Sequence, residues 1–240
     1  MLRHRSTSRS RWEESLVVVV LAAGRGRRFR ASGGQTHKLD ALLDGVAVLK
    51  RVLTAVENAG LTYHVVAPAP ATAQISVSAS APAPAQTSAS DETAAPLTYC
   101  TDGMGDSIAS GVRATANSAG WLILPGDLPL IEPATLRLMA QALERHAIVV
   151  PHHRGRSGHP VGFRAECGST LQTLSGDQGA AGIVHTYRAR RRVLDLEVDD
   201  AGVFTDIDTL DDLAHAAALL SQCQSHKAAG SPGGISHGHY

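Results

Sequence analysis

Apolar residues along the chain gather in short runs separated by longer amphipathic or polar stretches. Leu16–Leu21 (LVVVVL) and the runs at 121–124 and 147–150 lack polar alternation, the pattern of strands covered on both faces. Residues 63–67 and 193–198 read as two further strands, with helices at 47–59, ended by Gly60, at 103–116 and at 133–145. Strands alternating with helices predict an α/β architecture with a mostly parallel central sheet. Residues 204–213 read as a strand leading into a last helix, for which Thr209 is the natural N-cap with Asp212 three residues on.

Residues 68–96 break the pattern. They are almost wholly Ala, Pro, Ser and Thr, bury too little to offset their ordering, and are expected to form a disordered surface insertion. One domain is expected over 16–222, between a basic extension at 1–15 and a flexible tail at 223–240. With 43% hydrophobic residues, a chain of 240 can build one sizeable core.

Charge narrows the partners. Lys plus Arg and Asp plus Glu are equal at 22 each, so net charge supplies no attraction to nucleic acid or to an anionic membrane. No stretch approaches the roughly 20 apolar residues of a membrane span. The basic start followed by LVVVVLAAG has the outline of a signal peptide, but it runs straight into Arg25, Arg27 and Arg28 and reads better as a core strand. Cys100, Cys167 and Cys223 form no C-x-x-C pair, which argues against a disulfide framework or a structural zinc site and fits a reducing cytoplasm.

Chemistry concentrates where strands end. The first strand empties into Leu21, Ala22, Ala23, Gly24, Arg25 and Gly26, followed by Lys38, so backbone N–H groups and cations stand where a polyphosphate can sit. No third glycine completes a dinucleotide fingerprint, and no Gly-Lys-Ser/Thr follows. Gly103, Gly105 and Ser107 open a helix whose N-terminus offers donors to a base carbonyl or phosphate; either Asp106 or Ser107 suits its N-cap, and a plain turn with a capped helix is the competing reading. Asp127, in Pro-Gly-Asp-Leu-Pro, follows a central strand and falls in the crevice where open α/β sheets bind ligands. His152, His153 and His159 invite zinc, yet no Cys or acidic residue stands near at ligand spacing, and a polar substrate-facing loop is the better reading. Asp206 and Asp208 share one side of an extended segment, and either could reach a metal.

Taken in order, Leu21–Gly24 with Arg25 and Lys38, the Gly103–Ser107 turn, Gly126-Asp127-Leu128-Pro129, Gly158-His159-Pro160-Val161, Gly176-Asp177-Gln178-Gly179-Ala180 and the Asp206-Ile207-Asp208-Thr209 segment resemble the MobA-like nucleotidyltransferases. The resemblance is greatest to the molybdenum cofactor cytidylyltransferase branch and spans roughly residues 16–220. It implies a Rossmann-like three-layer fold with a mixed sheet edge. It also implies transfer of CMP from CTP to molybdopterin, with release of pyrophosphate and a molybdenum hydroxylase as recipient of the product. The Leu21–Gly24 loop would hold base and ribose, Arg25 and Lys38 the triphosphate, and Asp127 and Asp208 a Mg²⁺ ion. Gly158, His159, Pro160 and Asp177 would face the acceptor. Ala23 stands where the guanylyl branch has glycine, which favours CTP.

Two departures from the family pattern stand out. Lys38 stands ten positions after Arg28, so Gly33-Gly34 must bulge for Lys38 to reach the phosphates, and Ala181 replaces an expected arginine, a loss that Arg154, Arg156 or Arg188 could offset. Two other functions stay open: nucleotidyl transfer to a sugar or polyol phosphate, and a non-catalytic nucleotide-binding maturation factor.

Overall fold

The structure, a computed structural model, describes residues 12, 15–68, 97–100 and 103–229, the last seven as backbone only. Strand β1 (Leu16–Leu21) is the unbroken apolar run read from sequence, and it lies in the middle of the sheet. A short helix α1 (Arg27–Ala31) and a small hairpin of β2 (Leu42–Leu43) and β3 (Val46–Ala47) lead into α2 (Val48–Ala59), which ends at Gly60 as expected. Strands β4 (Thr62–Pro68) and β5 (Leu97–Cys100) pair in parallel, and the crossover between them runs through 69–96, so the insertion expected at 68–96 falls outside the described residues apart from Pro68.

After α3 (Met104–Ala114) come β6 (Gly120–Pro125), α4 (Pro133–Leu143) and β7 (Ile148–His153). The chain then folds back as β8 (Arg156–Ser157) and β9 (Val161–Arg164), turns through a 3₁₀ segment into α5 (Gly168–Leu171), and continues as α6 (Ala181–Ala189), β10 (Val193–Glu197), a second 3₁₀ turn and α7 (Leu210–Ala229).

The sheet order is β10-β7-β9-β6-β1-β4-β5, with β8 paired to β7. All neighbours are parallel except β9, which runs against β6 and β7, and β8, which runs against β7. This is the mostly parallel, helix-flanked sheet expected from sequence, with antiparallel strands in one half. Alternate β1 residues serve two cores: Leu16, Val18 and Val20 pack with α2 and α4, and Val19 packs with Ile108 and Val112 of α3. Both faces of β1 are thereby dry, which explains why it reads as a continuous apolar run.

Three local expectations are corrected. Residues 204–208 form no strand, because Thr205 N–H bonds to Gly202 O and Ile207 N–H to Asp127 O instead of to a ladder partner. Asp106 and Ser107 do not cap α3; its N-cap is Gly103, and the Asp106 carboxylate accepts from Gly176 N–H at 2.6 Å. The last helix continues to Ala229, past the 222 boundary expected from sequence. Thr209 does cap that helix: its N–H and hydroxyl lie 2.7 and 2.8 Å from Asp212 Oδ2, and Asp212 N–H returns to Thr209 Oγ1 at 3.2 Å.

Candidate functional site

Loops at the carboxyl ends of β1, β6 and β7 enclose a cleft of about 1140 Å³, the crevice where an open α/β sheet offers ligand space. The β1 loop is pinned at its root by Gly126 N–H to Leu21 O at 2.9 Å and Ala22 N–H to Val66 O at 2.8 Å. Leu21, Ala23, Gly24 and Arg25 therefore line the cleft, whereas Ala22 is buried with its amide already bonded. Gly26 adopts a left-handed conformation, φ 58°, that turns the chain into α1.

The long spacer before Lys38 is wound up rather than looped out. Phe29 of α1 is buried in the core, Gly34 N–H bonds back to Phe29 O, and Gly33 takes φ 102°. Ser32 Oγ bonds to Phe29 O and receives Leu210 N–H at 3.0 Å, tying the spacer to the start of α7. The spacer is thus taken up by a helical turn that the sequence pattern did not suggest, with Gly33 and Gly34 bonded back onto it.

Lys38 is buried, and its ammonium bridges two carboxylates, 2.5 Å from Asp127 Oδ2 and 2.8 Å from Asp208 Oδ1. Asp208 is brought to Asp127 by the Ile207 N–H to Asp127 O bond, and its other oxygen takes Arg28 at 2.7 Å, an ion pair missed from sequence. Burial opposes the Lys38 charge, but Asp127 and Asp208 outweigh it and hold the pKa above the ordinary lysine value. Asp127 Oδ1 is buried and lacks a hydrogen-bond partner among the described residues. Burial, with Asp127, Asp208 and Asp212 nearby, pushes the Asp206 carboxyl upward against a bond from its own backbone. Among the described residues no three His, Cys, Asp or Glu side chains come together as a metal cluster.

On the far wall, Gly103, Ser107, Gly158, His159 and Asp177 reach the same cleft, and Gly105 and Pro160 do not. Gly105 N–H is spent on Gly176 O at 2.7 Å, and the Ser107 hydroxyl on Gly103 O at 3.1 Å, so these two groups are already bonded where the start of α3 borders the cleft beside the 175–178 loop. Gly103 is required for that packing, since a Cβ there would stand 2.1 Å from Gly176 O. The three histidines diverge: His153 bonds to Val198 O, His152 to Asp195, and His159 lies exposed in the cleft, where the surrounding walls lower its pKa against the pull of Asp127 and Asp206. Of the arginines that could offset Ala181, Arg156 and Arg188 line the cleft and Arg154 does not. Asp195 and Phe204 also line it and had no signal in the sequence beyond their strand and turn contexts.

A sequence profile described as MobA-like NTP transferase domain matches residues 18–193. The fold is similar to that of Rv0371c from Mycobacterium tuberculosis H37Rv, at 25% identity and a TM-score of 0.66 over 85% of this chain and 98% of that one. A structure of that protein in complex with manganese matches at 25% identity and a TM-score of 0.64 over the same shares. A nucleotidyl transferase from Methanothermobacter shares the fold at 22% identity, with a TM-score of 0.68 over 87% of this chain and 99% of that one. No curated protein matches the chain. No helix among the described residues is long and apolar enough to cross a membrane.

Proposed function

The chain belongs to the MobA-like NTP transferase family, and from that premise we propose that it moves CMP from CTP to the phosphate of molybdopterin, releasing pyrophosphate. One observation carries the reading: the β1 loop, Lys38, Asp127 and Asp208 share a cleft with Gly158, His159 and Asp177, so one crevice has room for a nucleotide and an acceptor. Its volume exceeds what one drug-sized ligand needs.

A divalent cation suits the site. Two carboxylates converge on one point, one buried carboxylate oxygen is unpartnered, and all the donors are hard oxygens. Asp127 and Asp208 would hold Mg²⁺, with the remaining positions left to phosphate and water, and the ion supplies charge neutralisation at phosphate oxygens when bound. Manganese in the mycobacterial relative supports a divalent ion of this kind.

The chain's own residues position and neutralise. Ala23, Gly24 and Arg25 would seat the nucleotide, with Arg25 and a released Lys38 offsetting charge on the β- and γ-phosphates. An oxygen of the acceptor phosphate attacks the α-phosphorus. The new P–O bond forms as the bond to the bridging oxygen breaks, and its electron pair leaves on pyrophosphate. No enzyme nucleophile is required. Ala23 lines the cleft, and its methyl group is expected to crowd a purine more than a pyrimidine, which favours CTP. Ala181, also lining the cleft, favours the second reading of a sugar- or polyol-phosphate acceptor, because no arginine stands there. In the first reading the protein works in the cytoplasm and a molybdenum hydroxylase receives the product.

Pyrophosphate release measured from each NTP with molybdopterin and with sugar phosphates tests the assignment. Release from CTP with molybdopterin is expected. Release only with a sugar phosphate moves the acceptor to the second reading, and no release with any pair makes the protein a binder.

A further inference from the structure

Residues 175–181 carry Asp177, Ala180 and Ala181 to the cleft, yet packing anchors them weakly. None of 175–178 is buried, and of the residues of α6, which follows, only Ile183 is buried. Exposed backbone of this kind opens readily, because few apolar contacts resist the motion. A substrate is held only as well as the segment that presents its contacts.

The anchor comes from the first turn of α3. Asp106 Oδ2 accepts the Gly176 N–H at 2.6 Å, and Gly105 N–H donates to Gly176 O at 2.7 Å. Both peptide groups that flank the Gly176 α-carbon are thereby fixed, including the one that leads into Asp177. Gly176 takes φ 57°, and Gln178 N–H returns to Ser175 O at 3.3 Å to close the turn. The approach is close: a Cβ at Gly105 would stand 2.6 Å from Gln178 O, and one at Gly103 2.1 Å from Gly176 O. Two glycines thus admit the loop, and Asp106 beside them supplies a charged acceptor, whose bond to an amide is about twice as strong as a neutral one.

The Asp106 carboxylate has no other assigned duty. Gly103 is the N-cap of α3, without a side-chain bond, and Asp106 is not among the residues that line the cleft. Gly103 and Ser107 of the same turn do line it, so the bond registers the loop on an element of the site itself.

We propose that Asp106 is a positioning residue for the acceptor: through Gly176 it fixes the 175–181 segment in the arrangement that the acceptor meets, and it touches neither substrate. The proposal rests on the two-substrate reading above, in which this segment faces the acceptor.

Asp106→Ala and Asp106→Asn separate the bond from the charge. Both lose the favourable interaction of a carboxylate with the helix N-terminus, but the asparagine amide oxygen can still accept the Gly176 N–H. Each variant is shown to be folded by its melting curve, and two readouts follow that need no turnover. Hydrogen exchange at the Gly176 amide should quicken about tenfold in Asp106→Ala and stay within about threefold of wild type in Asp106→Asn. Molybdopterin, and glucose 1-phosphate as the sugar-phosphate probe, are titrated by calorimetry into protein saturated with a non-hydrolysable CTP analogue. The probe that wild type binds should be held about tenfold more weakly by Asp106→Ala and within about threefold of wild type by Asp106→Asn, while affinity for the CTP analogue changes by less than about twofold. Unchanged Gly176 exchange in Asp106→Ala overturns the proposal, as does faster exchange with wild-type acceptor affinity. A matching loss of analogue affinity also overturns it, by making Asp106 a support of the whole site, and so does an Asp106→Asn variant as impaired as Asp106→Ala. Faster exchange in a protein whose wild type binds neither probe refutes the two-substrate reading, and this proposal with it.

Discussion

Replacing Lys38 by methionine keeps the aliphatic stem and removes the ammonium that bridges Asp127 and Asp208. Removing one partner from a fully buried ion pair costs about 3–5 kcal/mol, chiefly because the other charge is stranded. Here Lys38 is 11% exposed and the carboxylates 18% and 17%, they border an open cleft, and Arg28 stays on Asp208. We expect about 2 kcal/mol, a loss of roughly 4–8 °C in Tm for a domain of this size. The pH dependence has a definite sign. A pKa raised by the fold contributes stability that is complete below the ordinary lysine value near 10.4 and is lost only as pH rises through the folded-state value. The comparison therefore holds across neutral pH, and the wild type should lose its advantage only in the alkaline range.

The same substitution acts oppositely on metal binding. A unit positive charge within about 4 Å opposes an arriving divalent cation by about 8 kcal/mol at an effective dielectric of 20. Lys38 can swing away, so only part of that barrier is released; about a sixth of it is already tenfold in affinity. Lys38→Met should thus bind Mn²⁺ at least about tenfold more tightly than wild type without nucleotide, as read from the loss of free-ion signal in electron paramagnetic resonance. Added Mn²⁺ should also recover melting temperature more in the variant. Mn²⁺ binding no tighter than wild type, or a metal-free melt equal to wild type, would refute the view that this ammonium holds the carboxylate pair together.

Asp127→Ala should reduce pyrophosphate release by about a hundredfold or more while the circular dichroism spectrum stays native, and near-normal turnover would remove Asp127 from the chemistry. Wild type should favour CTP over GTP in kcat/KM by roughly ten- to two-hundredfold, and Ala23→Gly should narrow the gap; equal use of the two by wild type defeats the steric argument. Gly103→Ala forces a Cβ to within 2.1 Å of Gly176 O, so the 175–178 loop must shift at a cost of about 1–3 kcal/mol, visible as a lower Tm. Since Asp177 lies on that loop, the acceptor KM should rise with it, and a wild-type melt for Gly103→Ala would show that the loop yields freely.

What was legible in this chain was local. Leu16–Leu21 and α2 stand almost where the apolar runs and Gly60 put them, because burial on both faces and a left-handed stop leave direct marks on residue type. Asp127 was legible for a related reason, since a buried strand followed by Pro-Gly-Asp leaves the carboxylate at a strand end whatever the rest of the chain does. The pairings across the site had no such mark. Lys38 meets Asp127 and Asp208 across 89 and 170 residues of sequence, and the contact depends on α1 winding up the spacer and on Ile207 bonding to the Asp127 loop. Strands β8 and β9, two and four residues long, are too short for their alternation to be read, yet β9 runs antiparallel between β6 and β7 and carries the chain past the cleft. The alternation at 204–208 was real in burial, with Thr205 and Ile207 inside and Asp206 exposed, but the backbone donors went to Gly202 and Asp127, so the pattern of a strand arose without a ladder. Side-chain alternation reports which face is dry; only backbone partners decide whether a sheet forms, and here they were drawn from loops that bring Asp208 to the site.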